Sequence, residues 1–92
     1  MTPEHAETIA LQALGWLASD DDLCATFLGA TGASLDEMRV RAMESTFLAS
    51  VLGFLTMNDE WIIGFCDSVD LSYDKPLRAL HALPGAERVE WT

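Results

Sequence analysis

Asp20, Asp21 and Asp22 form the densest charge cluster in the chain, and adjacent carboxylates are what a hard cation would need. A calcium loop, however, spreads its oxygen ligands over about twelve residues and closes on an acidic side chain. Here the run stands directly before an apolar helical pattern, and Asn58-Asp59-Glu60 repeats the arrangement further on. Helix capping and negative charge at the positive end of a helix account for both runs. The histidines, His5 and His81, form no His-x-x-x-His pair, and Cys24 and Cys66 form no Cys-x-x-Cys pair. The spacing of a transition-metal site is therefore absent. A Cys–His nucleophile would need the fold to bring one of each together by chance. No Gly-x-Ser-x-Gly, phosphate-binding loop or dinucleotide fingerprint occurs, and the six glycines are scattered. The residues point to no enzyme and to no cofactor.

The charge balance narrows the partners. Fifteen acidic residues face five basic ones, a net charge of -10. Nucleic-acid binding draws its affinity from Lys and Arg on phosphates, and anionic lipid headgroups select the same residues. This chain is repelled by both, so nucleic acid and membrane surfaces are excluded as partners. Neutral or basic proteins, cations and a second copy of the chain remain. The longest dense apolar run, Phe47 to Leu55, is less than half of the roughly 20 residues a membrane span needs. Glu4 and Glu7 stand where a signal peptide would be basic. A cytoplasmic protein with reduced thiols follows, and both cysteines lie among apolar residues as buried structural thiols do.

The elements that position these residues are helices, and the chain writes them twice. Leu14 to Asp36 laid on Leu52 to Asp74, at a constant offset of 38, gives seven identities in 23 positions: Leu14/Leu52, Gly15/Gly53, Leu17/Leu55, Asp21/Asp59, Phe27/Phe65, Ser34/Ser72 and Asp36/Asp74. Composition alone would give roughly one or two. The expected fold is all-α: six short helices in two tandem three-helix repeats, packed as one compact bundle. A single domain over 1–85 holds the halves, about 3–43 and 45–83, and 86–92 is a short tail.

Thr2 and Pro3 open the first helix, which runs to about Ser19. Asp20 caps the second and Gly32 stops it. Ser34 and Glu37 make a capping box for the third, with Leu35, Met38, Ala42 and Met43 turned inward. Arg39 and Arg41 near its end are read as solvated charges favoured by the helix dipole. The fourth, about Ser45 to Met57, is apolar nearly all round and is therefore expected at the centre. Asn58 caps the fifth. Ser72 is expected to cap the sixth, with Leu77, Leu80 and Leu83 inside and Pro84-Gly85 at its end. Trp16, Phe27, Phe47, Leu52, Phe54 and Phe65 are the expected core. Gly15 and Gly53, at equivalent positions, each cost their helix about 0.5 to 1 kcal/mol relative to Ala, so each is expected at a tight helix crossing.

The assembled pattern resembles a small, mainly alphaproteobacterial family of roughly ninety-residue proteins classified as a domain of unknown function. The resemblance runs through Ala10-Leu11 to Trp16-Leu17-Ala18, Phe27-Leu28 and Thr31-Gly32. It continues through Phe47 to Leu55, Asp59-Glu60, Phe65-Cys66 and Leu83-Pro84-Gly85. It departs from the family pattern at Gly53, where an acidic residue is common, and at Thr46, where a proline is. It implies the size and the helical fold, and no activity.

Two functional expectations stand. The first is a non-catalytic cytoplasmic protein–protein interaction module with an acidic surface, self-association as a homodimer included. Trp91, beside Arg88 and Glu87, either folds back over an apolar patch or is offered to a partner, as exposed aromatic anchors are. The second is a small-ligand or metal-binding sensor with a pocket between the two repeats. The second and third helices of each half also resemble a helix-turn-helix in outline. Asp36, Glu37 and Asp74 at the would-be recognition termini argue against that use.

Overall fold

The computed structural model describes residues 1–84 of the 92, and every described element is a helix. In chain order they are α1 (Pro3–Ala18), α2 (Asp21–Thr31), α3 (Leu35–Arg41), α4 (Ser45–Leu55), α5 (Asp59–Val69) and α6 (Lys75–Ala82). The expected contact residues Trp91, Arg88 and Glu87, and the expected stop at Gly85, lie outside the described residues.

The helix starts follow from side chains that accept the orphan N–H groups of a first turn. Thr2 Oγ1 accepts from the His5 amide at 3.2 Å and Asp20 Oδ1 from Leu23 at 3.0 Å. Ser34 Oγ accepts from Glu37 at 3.2 Å and Asn58 Oδ1 from Glu60 at 2.8 Å. Asp20–Asp22 and Asn58–Glu60 thus open helices.

Helices α1 and α4 pack on each other and α6 lies against both; α2 reaches α1 and α4, and α5 reaches α1. As its composition requires, α4 is central, with Phe47–Ala49 and Val51–Leu55 buried. The α1 face turned to this core is Ala6, Ile9, Ala10, Ala13, Leu14 and Leu17. Phe27 is the aromatic hub, meeting Phe47 at 5.9 Å and Phe54 at 5.2 Å, both edge-to-face. Of the six residues expected in the core, five are buried; Trp16 is half-buried and packs on its margin.

The offset of 38 reappears as geometry in the first two helices of each half. Trp16 meets Phe65 edge-to-face at 6.1 Å, and their offset mates Phe54 and Phe27 meet in the same way. Gly32 ends α2 in the left-handed region at φ 73°, and its mate Asp70 ends α5 there at φ 58°. The equivalence stops at the third helix. While α6 is wedged against α1 and α4, α3 has no interface of comparable extent with the other five helices. One buried side chain, Met38, holds α3 down. Its end is tied to the start of α4 by Arg41, which pairs with Glu44 at 2.8 Å and lies 5.5 Å over the Phe47 ring.

Four expectations are corrected. Leu35 and Met43 are 47% and 71% exposed, because α3 presents only one face to a core it barely touches. Leu77 is 49% exposed; the inner face of α6 is Pro76, Ala79 and Leu83, with Leu80 half-buried. Ser72 does not cap α6. Starting there would place Pro76 at the first position whose N–H must bond within the helix, where proline has none. Starting at Lys75 puts Pro76 among the orphan positions, and the Ser72 carbonyl instead accepts from the Lys75 amide at 3.1 Å. Finally, Gly15 is exposed and a side chain there would meet nothing within 4 Å, so it marks no tight crossing. Gly64 is approached closely: an added Cβ there would stand 3.1 Å from the Trp16 ring.

Candidate functional site

Three helices of the first half enclose an apolar groove of about 700 Å³. Its walls have a simple origin. Leu11, Leu14, Gly15 and Ala18 come from α1, Asp21, Cys24, Ala25 and Leu28 from α2, and Leu35, Met38, Arg39 and Ala42 from α3 and its C-cap. Each set follows the i, i+3, i+4, i+7 spacing of one helical face. On α1 this stripe runs beside the core-facing one, which is why α1 is apolar over so wide an arc. Gly15 keeps the groove open, since it places no side chain in it.

The base of the groove is buried and its edge is exposed. Met38 and Leu14 are almost wholly covered, Leu11, Cys24 and Leu28 are half-buried, and Leu35 and Ala25 are exposed. Two charges line it, Asp21 on α2 and Arg39 on α3, and among the described residues neither has an ion-pair partner. Arg39 is thus a groove wall as well as a helix-end charge.

A second, shallower cleft of about 440 Å³ lies between the halves, bounded by Trp16, Asp20, Asp22, Leu23, Thr26, Glu60 and Trp61. Both tryptophans are committed to packing: Trp61 stacks on Phe54 at 4.6 Å, and Trp16 covers Gly64 and Phe65. Among the described residues, no group of three or more His, Cys, Asp and Glu side chains is placed to hold a metal ion. His5 and His81 are both exposed.

A family model described as a protein of unknown function, DUF3572, matches residues 3–86. The chain belongs to this family. No curated protein and no solved structure matches it. The match spans all six helices of this DUF3572 chain, the three groove walls included. Among the described residues, no helix is long and apolar enough to cross a membrane.

The two thiols of the DUF3572 chain are set apart by the groove. Cys24 opens onto it, whereas Cys66 is fully buried in α5 and directs its S–H to the Ser72 carbonyl at 3.6 Å. Burial pushes the Cys66 thiol up, and the carboxylates of Asp67 and Asp74 add to the shift. The thiolate is the reactive form. Titration of the native protein with an aromatic disulfide reagent should therefore modify one cysteine per chain quickly, with the second following only on unfolding. Peptide mapping should place the fast label on Cys24. Fast labelling of Cys66 would mean that α5 opens far more readily than its packing requires.

The groove was readable in the sequence only in part. Helical periodicity turns Leu35 and Met38 inward, but onto a core. Nothing in the spacing of α1 shows that its second apolar stripe, Leu11 to Ala18, would be left half uncovered. The missing signal is the position of α3, which depends on tertiary packing.

Proposed function

We propose that this chain is a non-catalytic protein–protein interaction module of the cytoplasm, presenting an apolar groove on an otherwise acidic helical surface. The observation that carries the reading is the groove. Ten of its twelve lining residues carry no charge, and among the described residues no charged side chain is buried. An apolar groove with a polar rim is a surface on which a protein partner can dock. The net charge of -10 turns the partner choice towards neutral or basic proteins and away from nucleic acid.

A small-ligand sensor is the second reading. The groove volume falls within the range of about 300–1,000 Å³ usual for ligand sites. Its two unpaired charges, Asp21 and Arg39, are the few polar groups such a site would use for orientation. It lies within the first half, not between the repeats.

Tagged protein recovered from source cells separates the two, with mass spectrometry of proteins and of released small molecules. A stoichiometric protein that rebinds the purified chain supports the module. A defined small molecule that raises Tm in proportion to its concentration, as mass action requires, would replace it with the sensor.

A further inference from the structure

We infer that the α1–α2–α3 groove receives an amphipathic helix of a partner protein, with basic residues flanking that helix's apolar stripe. This rests on the interaction-module reading and names the partner's chemistry. The three walls are each a stripe of four residues covering seven steps along a helix, a length of roughly 10 Å at 1.5 Å per residue. An incoming helix laid along them presents its own i, i+3, i+4 and i+7 side chains over the same length, which is the helix-in-groove mode. Among the described residues there is no strand edge to offer an extended peptide the alternative of sheet pairing.

Charge decides the occupant. Asp21 stands exposed in the groove wall, and α3 opens beside the wall residue Leu35 with the exposed carboxylates of Asp36 and Glu37. A second copy of the chain would bring another charge of -10 against this rim, whereas Lys and Arg flanking an apolar stripe would be drawn to it. Arg39 is the one cation in the wall. It sets the register by favouring an acidic side chain opposite it and disfavouring Lys or Arg there. The open space before Gly15 accepts the central apolar residue of the incoming stripe, because backbone alone floors the groove at that point.

The test uses the full chain and a labelled synthetic peptide of about 18 residues, with Leu at i, i+3, i+4 and i+7 and Lys or Arg beside them. A matched peptide carries Glu in place of every Lys and Arg. Fluorescence anisotropy should show saturable binding of the basic peptide that weakens as salt is raised, and at least about tenfold weaker binding of the acidic one. Gly15→Leu fills the groove without meeting any protein atom within 4 Å of its Cβ, so the fold should hold and basic-peptide affinity should drop about tenfold or more. Leu35→Gln, at an exposed wall position, should weaken binding in the same direction, while Gly29→Leu, a glycine on α2 that is open but outside the groove, should not. Equal binding of both peptides, or full affinity in Gly15→Leu, overturns the inference. So does self-association by sedimentation that Gly15→Leu abolishes, which would make the occupant a second copy. A fatty acid that raises Tm and loses this effect in Gly15→Leu would likewise overturn it. A native protein partner that Gly15→Leu still binds would leave the interaction module standing and move its surface away from the groove.

Discussion

Phe27→Ala should cost about 3–5 kcal/mol, the range for deleting a buried aromatic, and should remove a large share of the chain's stability. The size follows from position. Phe27 has no solvent exposure and joins α2 to α4 through edge-to-face contacts with Phe47 and Phe54. Such ring pairs add about 0.5–1.5 kcal/mol each beyond area burial. The whole stability of a domain this size is about 5–15 kcal/mol. Its offset mate Phe65 is equally buried but has one aromatic edge contact, with Trp16. Phe65→Ala should therefore be damaging to a lesser degree, and Phe27→Leu, which keeps most of the volume, should cost under about 1.5 kcal/mol. Urea unfolding followed by circular dichroism ranks the three. A loss below 1.5 kcal/mol for Phe27→Ala would mean that the α2–α4 contact is not where the two halves are joined.

The pairing of Phe27 with Phe54, and of Trp16 with Phe65, shows what the repeat encodes. Local chemistry recurs at offset 38 because each half needs the same capped helix, the same aromatic anchor and the same left-handed stop. At the second stop the chain uses Asp70 where the first has Gly32, a substitution that a short polar side chain tolerates better than most. The caps at Asp20, Ser34 and Asn58 and the stop at Gly32 are legible in the sequence because they are decided within a few residues; the stop at Asp70 and the ring pairs are not. Nor is the packing of the third helices, although Ser34/Ser72 and Asp36/Asp74 match as well as anything in the repeat. Pro76 forces a late start on α6, and its inner side chains Pro76 and Ala79 let it seat against both α1 and α4. In α3 the same stretch carries Met38, Arg39 and Val40, which give it one buried contact and an exposed remainder. Sequence symmetry therefore ends in structural asymmetry, and the groove is its product: α3 stands off where α6 closes.

Of the two glycines whose helical cost points to a close approach of backbones, Gly15 faces open space. The small residues on the packed face of α1 are alanines. Ala6, Ala10 and Ala13 lie on successive turns and have no exposure, on the helix that packs against both α4 and α6. Ala49 on α4 and Ala79 on α6 are likewise fully buried. Alanine serves close packing without the entropic cost of glycine, so a search for glycines passes over it. Ala10→Leu should then be strongly destabilising despite leucine's good helix propensity, because the added atoms have nowhere to go in a close-packed interior. A cost of about 2 kcal/mol, lowering Tm by roughly 10 °C, is expected from overpacking of this kind. Gln12→Leu, on the exposed side of the same helix, should stay within about 0.5 kcal/mol of the parent. Calorimetry on the pair removes propensity from the comparison, since both variants place leucine in α1. Equal melting temperatures would show that α4 and α6 yield to a larger side chain, and that the alanine face is not what brings the three helices together.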